Sequence, residues 1–376
     1  MLKTSELELP VDARATEPRD TQLWEGVGRL VDRARSLADV RAHRLEALAA
    51  WRWHDQGRLV PADFAEHARS ASFASLIAPL LLSHVRAAAE GEILMIKGPE
   101  AAARYPSPSM RPFGDLDLVV PDAPAVQRAL VSAGFVLVGD DHLYRDIHHL
   151  QPLHLEGFPL VVEIHARPKW PEGIPHVALD ELFDAAVDSV VPVDGISGLP
   201  AAQSALLLAA HAWAHVPLAR IFHLVDVAAV RQDADPAEIS ALAARWGLGR
   251  LWRTTSDAAD GLFYDRGSSW PLRSWARHLP RVRERTVLED HLARWLACFS
   301  ALPPAPALRT GLQAVVRDVR PAPDESWQDK WFRSRRAVAN ARSPRLQHVA
   351  QVEMELRRHR SAGEDSDRTP PEGRSS

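Results

Sequence analysis

The sequence predicts an α+β protein: a mixed sheet with helices packed on it, with helices before it and a helical part after it. Three observations predict this. Between residues 88 and 195, short apolar runs alternate with helix-length segments and end in hairpin-like pairs, the order of a mixed sheet carrying helices. Residues 21–87 repeat their apolar side chains at helical spacing, and so does most of the chain after residue 195. At 376 residues the chain exceeds a typical single domain. The expected division is a disordered start (1–20), N-terminal helices (21–87), a sheet domain (88–195), a helical domain (196–300), a C-terminal helical segment (307–360) and a disordered tail (361–376).

Taken in order, Leu23, Val27, Leu30, Val31 and Leu37 mark one helical stretch, and Leu45, Leu48 and Trp51 continue it. Pro61 opens a second, whose apolar face is expected to carry Phe64, Ala68, Phe73, Leu76 and Leu80–Leu82. Residues 93–96 read as a strand, 99–105 as a short helix just after Gly98, 106–114 as a loop, and 116–120 as a strand closed by Pro121. An amphipathic helix over 123–133 is capped by Gly134. Strands are expected at 135–138 and within 143–155, joined by a turn at 139–141, and again at 158–165. From residue 178 onward the pattern is mostly helical, with helices at 201–215, 217–231, 236–246, 248–263, 271–278, 285–300 and 344–360. The prolines of 303–306 read as a linker.

Composition narrows the function. A formal net charge of −4 gives no global electrostatic case for nucleic-acid binding. The single cysteine, Cys298, excludes an internal disulfide and fits a reducing compartment. The N-terminal residues show no apolar core of a secretory signal, and no uninterrupted apolar run reaches the ~18 residues of a membrane span, so a cytoplasmic protein is expected.

The chemistry concentrates between Lys97 and Val120. In a strand, residues two apart share a face, so Asp115 and Asp117 point one way and Leu116 and Leu118 the other. Two carboxylates on one face suit hard divalent cations, which prefer carboxylate and phosphate oxygens. Asp-x-Asp at a strand start also occurs as a solvated strand end; Gly114 before it, the apolar run after it and Glu163 downstream favour the site. Glu163 lies in its own apolar strand, where an unpaired carboxylate is costly; it either joins the metal set or pairs with an arginine. A glycine before a helix, here Gly98, lets backbone amides approach a phosphate.

This arrangement of a Gly-ended strand, a helix, an apolar-flanked Asp-x-Asp and a later apolar-flanked Glu resembles the DNA polymerase β-like nucleotidyltransferase superfamily. More narrowly, IKGPEAAARYPSPSMRPFGDLDLVV followed by GF, VVEIHARP, and later LLLAAHAW and LVDVA resembles a bacterial family of uncharacterised nucleotidyltransferases, over about residues 91–231. The resemblance implies a nucleotidyltransferase-like fold, Mg²⁺ (or Mn²⁺) on Asp115, Asp117 and Glu163, Gly98 in a nucleotide loop, and Lys97 reaching a phosphate. It implies transfer of NMP from an NTP to an acceptor hydroxyl or phosphate on a small molecule or a protein, with pyrophosphate released. The superfamily's usual Gly-Ser or Gly-Gly is here Lys97-Gly98-Pro99; Pro99 removes one amide donor, and Lys97 is read as the substitute. The alternative is a catalytically inactive nucleotide-binding or antitoxin-like module on the same fold.

Other candidates are weighed beside these. Lys97 is either a solvated strand-end lysine or a phosphate ligand. Arg111 contacts phosphate or neutralises Asp115. His165, two residues after Glu163, flanks the metals, binds substrate, or is an ordinary strand-end histidine. His211 and His215 have metal-ligand spacing on a helix but lack a zinc-protease glutamate, so a packed or substrate-facing pair is expected. His142, His148, His149 and His154 show no ligand spacing. Asp226 reads as a buried acid paired to Arg220 or His223. The basic stretch 330–336 reads as a solvated helix face.

Overall fold

The computed structural model describes residues 20–139, 148–321, 325–345 and 347–349. The expected disordered tail, nearly all of the disordered start, His142, most of the turn at 139–141, the beginning of the 143–155 strand and the end of the 344–360 helix lie outside the described residues. Helices α1 (Thr21–Arg33), α2 (Leu37–Ala42), α3 (Glu46–Asp55) and α4 (Ala62–Ala88) come first. The sheet region follows as β1 (Ile93–Met95), α5 (Pro99–Ala102), β2 (Asp115–Val119), α6 (Ala123–Ser132), β3 (Val136–Leu137), β4 (Leu153–His154), β5 (Val161–His165), α7 (Leu179–Asp184), β6 (Val187–Asp188) and β7 (Ile196–Gly198). The chain then runs through α8 (Ala201–His215), α9 (Ile221–Arg231), α10 (Pro236–Arg245), α11 (Gly249–Phe263), α12 (Trp270–Arg273), α13 (Val287–Ala301), α14 (Pro304–Val319) and α15 (Trp327–Ala339).

The described strands form one seven-stranded mixed sheet in the order β3-β4-β5-β2-β1-β7-β6. β2 runs antiparallel to β1 and parallel to β5, and β1 runs parallel to β7. The two central faces bury different sets. Leu116, Leu118, Val162 and Ile164 pack with Ala78, Leu81, Leu82 and Val85 of α4 and with Val126 and Leu130 of α6. Leu94, Ile96 and Val119, on the opposite face, join the larger core of α1, α3, α8, α9 and α11. Complete burial of a Leu or Ile contributes ~1.5–3 kcal/mol, so the four apolar residues of β2 and β5 hold the register firmly. A one-residue slip would drive Asp115 and Asp117 into the apolar layer.

Several expectations are corrected here. The inner face of α4 is Phe64, Ala68, Ala71, Ala78, Leu81, Leu82 and Val85, whereas Phe73, Leu76 and Leu80 are exposed. Ala68, Ala71, Ala74 and Ala78 fill the middle of that face, where small side chains let the helix approach its neighbours closely. By length and composition α4 also qualifies as a membrane-crossing helix, contrary to the expectation of none; its buried side chains contribute to both cores. The helix expected over 99–105 is one turn, α5. β7 sits beside β1 where only helix was expected. The proline run at 303–306 opens α14 rather than forming a linker, since proline suits a first helical turn.

Candidate active site

The parallel pairing of β2 with β5 sets Asp117 opposite Glu163, Asp115 opposite Val161, and Val119 opposite His165. Paired residues share a face, so Asp115, Asp117, Glu163 and His165 all project toward the helical layer. β1 is held alongside by Ile96 N–H donating to Asp117 O (3.2 Å), which carries Lys97 to the same spot. Lys97 Nζ lies 2.9 Å from Asp117 Oδ1 and 3.8 Å from Asp115 Oδ2. His165 Nε2 lies 3.0 Å from Asp117 Oδ1 and 3.5 Å from Glu163 Oε2. Asp117 and His165 are buried, while Asp115 and Glu163 face a cleft.

These neighbours separate the carboxylates electrostatically. Burial works against the charge of Asp117, but the His165 imidazole and the Lys97 ammonium outweigh it and hold Asp117 well below the usual carboxylate range. Burial, with repulsion from Asp117, raises Asp115. Burial opposes ionised Glu163 too, yet His165 keeps it below its ordinary value. Burial disfavours the charged forms of Lys97 and His165, and the carboxylates reverse this and raise both. Cationic neighbours therefore keep Asp117 and Glu163 ionised, while Asp115 is shifted the opposite way.

The donor set fits a divalent cation. Ligand atoms of Asp117, Glu163 and His165 lie within 4.8 Å of one another. Both cationic neighbours approach Asp117 Oδ1, and no hydrogen bond is made to Oδ2, whose lone pairs remain available. Lys97 Nζ supplies a positive charge at the Asp115–Asp117 pair. The compact group has His165 where Asp115 was expected, because Asp117, not Asp115, is in register with Glu163; Asp115 stands one pleat closer to the cleft mouth.

Other candidates fall elsewhere. Arg111 does not reach Asp115; it forms a buried two-bonded pair with Asp226 (Nε–Oδ1 2.7 Å, Nη2–Oδ2 2.8 Å) and donates from Nη1 to Gly98 O (3.2 Å). Asp226 is buried, as expected, but its partners are Arg111 and Tyr105 Oη (2.7 Å) rather than Arg220 or His223. The loop before β2 is thereby tied to α9. Gly98 has φ 67°, a backbone that favours glycine, and caps the single turn of α5. So short a helix brings little dipole to a phosphate. His211 and His215 pack ring to ring, 4.6 Å between centroids, with Lys169 Nζ 2.8 Å from His215 Nδ1. Both line the cleft. The basic stretch 330–336 lies on α15, with Arg333 paired to Glu325.

The cleft encloses about 1290 Å³, from Lys97, Asp115 and Glu163 past α8 to Arg44, Arg220 and Arg285. Two components escaped sequence reasoning. His149 Nε2 comes within 3.9 Å of Glu163 Oε2 through a bridge between residues 149 and 165. The arginine wall is assembled from residues far apart in sequence. For His149 the available signal was the His-His pair preceding the β5 segment; for the wall there was none.

The family model described as an uncharacterised nucleotidyltransferase matches residues 31–263, which include the whole sheet and the walls formed by α8 and α9. No curated protein and no solved structure matches the chain.

Proposed function

The chain belongs to the uncharacterised nucleotidyltransferase family, whose model covers more than half of it, and from that premise we propose that it transfers NMP from an NTP to an acceptor, releasing pyrophosphate. The observation that carries this reading is the β2–β5 register, which sets Asp117 against Glu163 with Asp115 on the same face beside an open cleft. Asp115, Asp117 and Glu163 would hold Mg²⁺ or Mn²⁺, with His165 behind them. Such a cation neutralises charge on phosphate oxygens as it develops.

The protein's own groups do the remaining work. His165, close to both Asp117 and Glu163, fixes the two carboxylates relative to each other. Lys97 neutralises the acidic pair in the metal-free protein and serves a phosphate oxygen once that pair is otherwise engaged. Arg111 acts through the Gly98 carbonyl, holding the nucleotide loop in place. The acceptor oxygen bonds to the α-phosphorus, the bond from that phosphorus to the bridging oxygen breaks, and pyrophosphate leaves. Glu163, at the cleft wall, takes the acceptor's proton. The acceptor is a small molecule or a protein side chain.

The test is Mg²⁺-dependent turnover of labelled ATP and GTP by the full chain against small-molecule and protein fractions. Asp115→Asn with Asp117→Asn is expected to lower it by about 100-fold or more, ~3 kcal/mol of transition-state stabilisation. Undiminished turnover in the double variant would sink the assignment. A second reading, a nucleotide-binding module without transfer, is favoured by Pro99 in the nucleotide loop and by Lys97 on Asp117. Calorimetric NTP binding with no pyrophosphate release would decide for it.

A further inference from the structure

The cleft is larger than a nucleotide needs. Pockets for a single small ligand run to about 300–1,000 Å³, and this one holds about 1290 Å³ with the Asp115 and Glu163 carboxylates at one end. The opposite end is built differently. Arg44, Arg220, Arg283, Arg285 and Arg345 line it, together with the carboxylates Glu46, Glu284 and Asp290 and the buried His43 and His278.

Three of these arginines have partners. Arg283 pairs with Glu289 (2.6 Å), and Arg345 with Asp290 (3.0 Å). Arg285 Nη2 donates to the carbonyls of Pro217 (2.9 Å) and Leu218 (3.1 Å). Arg44 and Arg220 have no carboxylate within salt-bridge distance among the described residues. Burial and then the nearby Arg44 disfavour the charge of Arg220, and Glu46 offsets this only in part. Two like charges held together without a paired counter-ion cost stability unless something anionic joins them.

The surroundings hold them in that position. Arg44 has φ 56° and Leu218 φ 45°, both in the left-handed region that a side chain disfavours. The Leu218 turn is fixed from below: Arg285 covers the carbonyls of Pro217 and Leu218, and His278 Nε2–H donates to Ala219 O (3.1 Å). Arg220 follows as the first residue before α9. Polar atoms also wait there. His43 is 1% exposed and lines the cleft with its ring against the Arg283 backbone, and buried Arg285 leaves Nε without a hydrogen-bond partner among the described residues. Buried polar groups are normally paired, and at the wall of an open cleft such groups are available to a ligand.

We propose that this end of the cleft is the acceptor subsite and that the acceptor carries a phosphate-type anionic group, held between Arg44 and Arg220 with His43 beneath it. This rests on the transfer reading for the word acceptor; the anion site itself does not. A neutral acceptor would leave the two neighbouring positive charges unbalanced, and guanidinium groups suit phosphate oxygens by charge and by hydrogen-bonding capacity.

The experiment is calorimetry on the full chain with two probes: inorganic phosphate without divalent metal, and Mg²⁺ with a non-hydrolysable NTP. Wild type is expected to bind both. Arg44→Gln with Arg220→Gln should weaken phosphate at least tenfold and leave the Mg²⁺–NTP affinity within about twofold. Arg44→Lys with Arg220→Lys, measured alongside its melting temperature, should retain part of the phosphate affinity and so separates lost charge from lost fold. Asp115→Asn with Asp117→Asn should lose Mg²⁺–NTP and keep phosphate. The proposal is overturned if wild type binds no phosphate, if the arginine variants bind it as wild type does, or if they lose Mg²⁺–NTP binding, which would make this the triphosphate site. Failure of the aspartate variant alone would overturn the metal assignment and leave the anion site standing.

Discussion

Lys97 is where chemistry and stability meet in a single side chain. It is largely buried, with 17% of its side chain exposed, and its ammonium satisfies Asp117 at 2.9 Å. Removing one member of a buried ion pair strands the other and costs roughly 3–5 kcal/mol. His165 still supports Asp117, so Lys97→Met should sit at the lower end of that range, about 3 kcal/mol. A divalent cation on the same carboxylates would restore the lost charge balance. We therefore expect the Lys97→Met melting temperature to fall without metal and to recover when millimolar Mg²⁺ is added, with little Mg²⁺ effect on wild type. A drop that Mg²⁺ does not reverse would mean that Asp115 and Asp117 do not share a cation site. This behaviour was not readable from the strand pattern. The alternation of residues 115–120 states that Asp115 and Asp117 share a face, but the position of Lys97 depends on the antiparallel β1–β2 register, a non-local pairing.

At the scale of elements, the site depends on how the loop between α5 and β2 is fastened. Arg111 and Asp226 join that loop to α9 through a buried pair that also includes Tyr105. Asp226→Leu leaves Arg111 charged and buried without its carboxylate, with only the Gly98 carbonyl as a hydrogen-bond acceptor, and is expected to cost about 3–5 kcal/mol in urea denaturation. Arg111→Met together with Asp226→Leu should recover most of that, because an apolar pair of similar volume has no desolvation penalty. If the double variant is as unstable as the single, the pair is not what fastens the loop. The elements themselves differed in how legible they were. β2 and β5 announce themselves by alternating apolar residues with carboxylates. β7, Ile196–Gly198, is three residues long and ends in glycine, so no periodicity could mark it. On the face of α4, Phe64, Ala68, Leu81 and Leu82 were read correctly, but Phe73, Leu76 and Leu80 were not, because leucine and phenylalanine were given more weight than the alanines that close packing selects. Asp226 was recognisable as a buried acid from its apolar neighbours, but its partner 115 positions away was not.

At the scale of the whole molecule, the cleft is walled by histidines that fold in the neutral state. Burial, aided by the nearby Arg220 and Arg285 charges, lowers His43 from 6.5 to about 4, and burial with Arg285 and His43 itself lowers His278 well below its ordinary value. His215 and His223 are likewise lowered to about 4, by burial first and with neighbouring positive charges contributing. The direction of the stability change follows from proton binding. Below 6.5 the unfolded chain takes up protons on these rings and the folded protein does not, so stability is fully present above that pH and is lost as pH falls toward 4. A tenfold difference in proton affinity between the folded and unfolded chain is worth ~1.4 kcal/mol, so His43 alone accounts for roughly 3 kcal/mol by the bottom of this window. His43→Gln, which cannot titrate, should reduce the pH dependence of unfolding free energy between pH 6.5 and 4 by about that amount, and equal slopes in the two proteins would refute the assignment. The same measurement in saturating inorganic phosphate bears on the basic end of the cleft. An anion between Arg44 and Arg220 would offset the positive charges that hold His43 neutral, so the wild-type slope should flatten in phosphate and not in chloride at matched ionic strength. In Arg44→Gln with Arg220→Gln, phosphate should no longer distinguish itself from chloride.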